Sequence, residues 1–521
     1  MKRNKLLEKT GIILIVCLSI FLFSGHLFAA TYYIDYNAAN DSAKGTSKST
    51  PWKRSPGMKG FAGSYVHSNG DVFVFKGGVT WPAAAMPLSI ANSGGTNTPD
   101  VYMGGQQCGF SPTAIVVCNG STTPCGSNAS VSCNGGAAWG SGYPVFDGES
   151  VGYLGLFYGG DGGSLRSNYV IDGIKTINVG SAGGGNENSI WGNGNNIEVK
   201  NNAFVPNALT PFVSGCEGGI GKLYIHDNYM SEYGRVHISC GDNTFDDIKI
   251  YNNLFESVVW TNPVGYHTDG VMIGADGVGS FKMTNVKIYN NKWYGDWSAS
   301  ATGQIFFNGS SGNYSAQHIY IYNNILTIEN TSGSALSPGF MVFYSGTMHV
   351  DDVYIYNNTI EGRSKQPGAC IFAAGTLSNF TIKNNILSGC DNALSIDTIP
   401  TWTFIYDSNL FYSNTRLLTG MGNMYQTCAQ MQAGGDSKLL GPYGTTYCSV
   451  SNPSFVALTD GTNGSANLHL QSSSPAKGHG QDLSGVFTTD YAGITRPRGR
   501  AWDIGAYKFP PEPPTNLRIV P

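Results

Sequence analysis

The chain has 521 residues, 41% of them hydrophobic, 12% aromatic and 12% charged, with 70 glycines and a formal net charge of −4. That aromatic content, without blocks of like charge, excludes a disordered chain. The acidic balance excludes an overall field that would draw nucleic acid or an anionic membrane surface to the protein.

Residues 1–30 read as an export signal. Lys2, Arg3, Lys5 and Lys9 form a basic start, and Ile12 to Phe23 is an apolar run too short to span a bilayer. Cleavage is expected after Ala30, although Phe28 fits the −3 position poorly; an uncleaved anchor is the alternative. Without these residues 26 Lys and Arg face 33 Asp and Glu, a net charge of −7, and no membrane span remains. A secreted, periplasmic or cell-surface protein is expected, and a monomer.

Residues 31–143 read as an N-terminal cap with Cys- and Gly-rich loops. Tyr32-Tyr33-Ile34-Asp35 is a first strand. Val72-Phe73-Val74-Phe75 is another, set between glycine turns in which Asp71 is a turn former. Ten cysteines follow the leader, an even number that suits disulfides in an exported chain. Sequence leaves their connectivity open. Nearest-neighbour pairing gives Cys108–Cys118, Cys125–Cys133, Cys216–Cys240, Cys370–Cys390 and Cys428–Cys448. Zinc is the rival reading, but the chain has no CxxC pair.

Residues 144–411 carry a repeat. Its clearest copy is Val286-Lys287-Ile288-Tyr289-Asn290-Asn291, and copies run from Ile197, Leu223, Ile248, Ile319, Val353 and Phe380. A looser copy ends at Asn409-Leu410-Phe411. The second Asn falls at 202, 228, 253, 291, 324, 358 and 385, so the spacing runs from 25 to 38 residues. Such a period marks a repeat architecture. Within each copy the alternation has period two, which is a strand with one face in and one out. The shorter spacings leave no room for a full crossover helix. They fit one turn of a coil of two or three short strands, and the longer ones are coils with inserted loops. Stacked coils, about 4.8 Å apart, would bury Ile197, Leu223, Ile248, Val286, Ile319, Val353 and Phe380 as one column. Asn tolerates a left-handed backbone, and its amide both donates and accepts.

With these features the chain resembles the right-handed parallel β-helix family that includes pectate lyases, and the Asn column resembles that family's asparagine ladder. The resemblance implies an all-β, right-handed parallel β-helix in which the Asn pairs are structural. Residues 412–509 continue it as C-terminal coils and cap. The succession from Asp490-Tyr491-Ala492-Gly493 to Asp503-Ile504-Gly505-Ala506-Tyr507 resembles the C-terminal segment of secreted bacterial members. Residues 510–521 read as a Pro-rich tail.

The fold includes lyases, hydrolases, epimerases and non-catalytic surface proteins, so function must come from a site. Secreted polygalacturonases carry Asn-Thr-Asp-Gly, then an Asp pair, Gly-His-Gly and Arg-Ile-Lys. Here His267-Thr268-Asp269-Gly270 approximates the first, while Gly478-His479-Gly480 lies far off in the C-terminal segment and no Arg-Ile-Lys follows. The best candidate is therefore Tyr266, His267 and Asp269, with Arg235, His237 and Asp242 expected beside them from the previous coil. A lyase or epimerase needs a base next to a uronate carboxylate and a cation to neutralise that carboxylate. His267 or Tyr266 would be the base and Arg235 the neutraliser. Asp269 and Asp276 would orient His267 or hold Ca2+. A hydrolase would use Asp242 and Asp269 as its two carboxylates. The structural alternative is a polar turn at the start of a coil.

A second feature is the outward column Tyr251, Tyr289, Tyr322 and Tyr356 beside Lys249 and Lys287. It is either a strip that binds sugar rings or an aromatic ladder that stabilises neighbouring strands. The expected function is that of a carbohydrate-active protein acting on an acidic polysaccharide by elimination or hydrolysis. The alternative is a non-catalytic carbohydrate-binding surface protein.

Overall fold

The structure, a computed structural model, describes residues 28–106, 117–118, 129–130, 139–151, 155–160, 165–179, 188–192, 194–205, 210–215, 221–231, 235–239, 244–256, 269–274, 280–295, 297, 301–309, 313–328, 338–344, 349–375, 377–397, 404–420, 423–433, 448–458 and 466–509. Residues 1–27 of the leader and the Pro-rich tail lie outside the described residues.

The chain winds into a right-handed parallel β-helix with three faces. Face A holds twelve parallel strands, from Thr31–Ile34 to Phe404–Asp407. Face B holds the short strands that follow the Asn pairs, such as Tyr229–Ser231, Leu254–Glu256 and Lys292–Tyr294. Face C follows after a further bend, as Val236–Ser239, Val271–Gly274 and Ile305–Asn308. In two late coils faces B and C run together as the single strands Thr359–Ala374 and Ile386–Ile396.

Alternation fixes the register. Ile197, Leu223, Ile248, Val286, Ile319, Val353 and Phe380 pair in sequence along face A. All are buried, as is the next inward column from Val199 to Ile382. Phe255 stacks on Trp293 at 4.7 Å and Phe307 on Phe343 at 5.1 Å inside the coil. A one-residue slip anywhere would turn these columns to solvent.

The two Asn residues of each pair have different jobs. The first turns the corner: Asn201, Asp227, Asn252, Asn290, Asn323, Asn357, Asn384 and Ser408 have φ between 50° and 59°. The second is buried and builds the ladder. Asn253 Nδ2 donates to Asn291 Oδ1 at 3.0 Å and to the Ile225 carbonyl at 2.9 Å. Asn291 Oδ1 also accepts the Asn253 backbone N–H. The same bonds link Asn202 through Asn228, Asn324, Asn358 and Asn385 to Asn409. Every donor of the buried amide is thus satisfied, as burial requires.

Both ends are closed. Trp52 stacks on Tyr32 at 4.7 Å under Phe61 and Tyr65, covering the first coil. Asp71 accepts from Ala30 N, Ser68 N and the Tyr65 hydroxyl, so it holds a turn. At the far end, the antiparallel pair Arg416–Gly420 and Asn423–Tyr425 and the helix Cys428–Ala433 bring Tyr425 and Met431 onto the core. Cys370–Cys390 and Cys428–Cys448 are disulfides, as nearest-neighbour pairing expects. The other three expected pairs include cysteines outside the described residues.

Residues 451–458 and 466–509 then lie along the flank of the last coils, over the corner made by the Asn pairs. Their Phe455, Leu468, Leu470, Ile504 and Ala506 cover Ile325, Ile386 and Leu410. The Asp503-Ile504-Gly505-Ala506 run makes the closest approach. Gly505 N donates to the Asn384 carbonyl at 2.7 Å, and Ala506 N to Thr359 Oγ1 at 2.9 Å. Gly505 has φ +94°, and a Cβ there would lie 2.6 Å from Ile386 Cδ1. Arg496 is buried, pushed down to about 10 by desolvation, and donates to the carbonyls of Asp503, Gly505 and Ala506. It is a structural arginine.

Candidate functional site

The predicted cluster falls at the bend between faces B and C. Arg235 immediately precedes the strand Val236–Ser239, and Asp269 and Gly270 lead into Val271–Gly274 on the next coil. Val236 N donates to the Gly270 carbonyl at 3.0 Å, and Gly270 N to the Gly303 carbonyl at 3.0 Å, so three coils are locked in register here. Gly270 is needed for packing. A Cβ would lie 2.2 Å from the Gln304 carbonyl oxygen and 2.5 Å from Trp293 Nε1.

Arg235 lies near enough to His237 and to Asp269 for its charge to act on each, and the three are 7%, 6% and 0% exposed. Asp269 Oδ1 accepts the Gly303 N–H at 3.2 Å. Burial is the largest influence on this carboxyl and raises it to about 7, against the opposing pull of the Arg235 charge and of hydrogen bonds from Gly303 and Thr302. His237 is driven well below the ordinary imidazole range, by burial first and then by the Arg235 charge. At neutral pH it is uncharged. Arg235 places one guanidinium nitrogen 3.2 Å from Met272 Sδ. His237 and Met272 are register partners on the outer side of face C, where Phe306 and Val342 continue the row.

Tyr266, His267, Asp242 and Asp276 lie outside the described residues. Among the described residues no group of three His, Cys, Asp or Glu side chains is arranged to hold a metal ion.

Glu256 was not singled out from sequence. It is fully buried on the outer side of face B, one strand before this bend, and accepts from the Tyr229 hydroxyl and from Ser231 Oγ at 3.2 Å. The available signal was its place in the repeat. It pairs in register with Ser231 and Tyr294, and so puts a carboxyl group where its neighbours carry hydroxyls.

On face A the tyrosines stack on one another. Tyr251–Tyr289 and Tyr289–Tyr322 have centroids 4.9 Å apart and nearly parallel planes. His226 closes one end at 4.4 Å, and Phe487 of the C-terminal segment closes the other at 4.6 Å. Ring faces are therefore taken up by neighbours, and only edges and hydroxyls remain for a ligand. Tyr356 is buried with Phe487 and Trp502. Lys249 binds Asp247 at 3.0 Å and the Tyr224 hydroxyl at 3.0 Å. Lys287 is half-buried, 6.0 Å from the Tyr320 ring centroid.

No family model matches the chain, and no curated protein matches it significantly. Solved structures of similar fold include pectate lyase Pel9A, at 12% identity and a TM-score of 0.37, covering 94% of this chain and 98% of that one. GH136 lacto-N-biosidase from Eubacterium ramulus aligns at 10% identity and a TM-score of 0.36, covering 76% of this chain and 66% of that one. The parallel β-helix itself is read from the strand pairing described above.

Proposed function

We propose that this is an exported carbohydrate-active β-helix protein that cleaves an acidic polysaccharide at the bend between faces B and C. The reading is carried by Arg235, whose charge acts on both the buried His237 and the buried Asp269. In elimination, Arg235 would neutralise the uronate carboxylate and acidify the neighbouring C–H. Neutral His237 would take that proton. The electron pair left behind forms the C=C bond as the glycosidic C–O bond breaks, and protonated Asp269 gives its proton to the departing oxygen. Tyr266 or His267 is the sequence-expected alternative base. Hydrolysis would use the same protonated Asp269 with a second carboxylate, which the sequence reading assigns to Asp242.

An enclosed polar cluster can also be purely structural, and one experiment separates the two. The mature protein is incubated with plant, algal and bacterial polysaccharides, with and without calcium. New reducing ends and the ultraviolet absorbance of unsaturated uronides are both followed. Elimination raises both signals, and Asp269→Asn lowers them by about 100-fold or more. Reducing ends alone indicate hydrolysis. Silence across the panel with retained polysaccharide binding overturns the reading in favour of a binding protein.

A further inference from the structure

A second site stands on a different part of the molecule, where face A changes width. Its strands lengthen from Ile197–Lys200 through Gly221–His226 and Thr244–Tyr251 to Ser280–Tyr289. The added residues enter at the start of each strand, and the pairing of Gly221–His226 with Thr244–Tyr251 slips there, between Gly221 and Leu223. The slip leaves Lys222 opposite the extra Asp246-Asp247, with Asp247 at φ +80°. A step results, and a depression of about 430 Å³ lies in it, within the range of about 300–1,000 Å³ usual for small-ligand sites. Asn196, Lys222, Asp246, Asp247, Asn285 and Lys287 line it.

Counting Lys249, which pairs with Asp247, three ammonium groups face two carboxylates at this depression. Asp246 Oδ1 is occupied by Thr284 Oγ1 at 2.7 Å and Asn285 Nδ2 at 2.5 Å. Asp247 is occupied by Lys249 and the Tyr224 hydroxyl. Asn196 Nδ2 is committed to Asn168 Oδ1 at 2.7 Å. Asp247 is thus neutralised by Lys249 and Asp246 keeps its charge, while Lys222 and Lys287 make no ion pair with any described residue. Lys222 is exposed and Lys287 half-buried. The side-chain groups left to act on a ligand are two ammonium groups, Asp246 Oδ2 and the carbonyl oxygens of Asn196 and Asn285. Ammonium groups suit a carboxylate, whereas amide oxygens accept from hydroxyls and repel a bare anion.

From this geometry we infer that the step on face A is a non-catalytic subsite for a sugar carrying a carboxylate, held by Lys222 and Lys287 with its hydroxyls on Asn196 and Asn285. It lies on a different face from the Arg235–His237–Asp269 cluster and so would hold a polymer away from the point of cleavage. The choice of an acidic sugar agrees with the proposed function, but the site does not require that the protein cleave anything.

The test is calorimetric titration of the mature, full-length protein with trigalacturonate, galactotriose and inorganic phosphate in parallel. Trigalacturonate should bind, and the double variant Lys222→Gln/Lys287→Gln should weaken it at least tenfold. Lys222→Arg/Lys287→Arg should retain most of it. Thermal midpoints of all three proteins should agree, since neither lysine is in the core. Equal affinity in the Gln variant, equal binding of phosphate, or no binding of trigalacturonate overturns the inference. Lysine-dependent binding without cleavage would sink the proposed function alone, and cleavage with lysine-independent binding would sink this site alone.

Discussion

Asp269 and Glu198 are both carboxylates on this solenoid, and their surroundings drive them in opposite directions. Asp269 is raised to about 7 chiefly by burial. Glu198 is lowered to about 2, chiefly by its hydrogen bond from His226, with Lys200 adding to it against burial. The sign of each effect on stability follows from linkage. A raised carboxyl stabilises the fold fully below its unfolded value, near 4, and that contribution is lost as pH rises toward about 7. Asp269→Asn should therefore make the protein more stable at pH 8 and change little at pH 4, as read from denaturant midpoints. His226 is pulled down by burial but raised on balance by Asp227 and Glu198, which hold both ring nitrogens at 2.6 and 2.9 Å. Its contribution is complete below about 6.5 and is lost as pH rises through its higher folded value; that of Glu198 is lost only as pH falls toward 2. His226→Gln should then cost about 1.5–3 kcal/mol at pH 6, the range of a charge-assisted hydrogen bond, and distinctly less at pH 9. An equal cost at both would show that the imidazole is not charged in the fold.

At the scale of the element, the Asn pair is a corner and a ladder made from one residue type. Asn291→Ala strips two donors and one acceptor from a fully buried position, leaving the Asn253 backbone N–H and one of its two Nδ2 hydrogens unpaired. It should cost at least about 2 kcal/mol. Asn290→Gly should be nearly neutral because only its φ of +54° matters, whereas Asn290→Ala should cost about 1 kcal/mol. Denaturant unfolding of the three variants checks the order. The doublet was plain in the sequence, and so was a hint of the division: Asp227 and Ser408 replace the first Asn, and nothing replaces the second between Asn202 and Asn409. That Arg235 and Asp269 fall at one bend on adjacent coils could be counted from sequence because strand register follows the repeat. Glu256 escaped because it sits in the half of the repeat that otherwise reads as core. The step on face A escaped because the lengthening of the strands at their starts breaks the period instead of following it.

Over the whole molecule, stability in a coil stack is the sum of each coil and its contacts with the next. The C-terminal segment adds bonds that skip coils. Its backbone carbonyls take Nδ2 of Asn323, Asn357 and Asn384, the corner residues of three successive coils. None of this lateral docking was legible from sequence, because the segment has no period to fix where it lies. Gly505→Val should push Ile386 and Thr359 away from the segment. Limited proteolysis of that variant should then cut within 451–509 well before the coils are lost, and a cutting pattern unchanged from the parent would count against the described docking.

That same segment works as a ruler. Its contacts with the corners at 323, 357 and 384 are spaced to match three consecutive coils, so it measures how many coils lie between its anchor points. A coil duplicated near residues 188–256 would lengthen the solenoid and leave the measurement intact. One duplicated between Asn323 and Asn384 would put Arg496 and Gly505 out of step with their sites. The length of the early solenoid is thus free to vary by whole coils, while that of the last three is set by a segment that belongs to no coil.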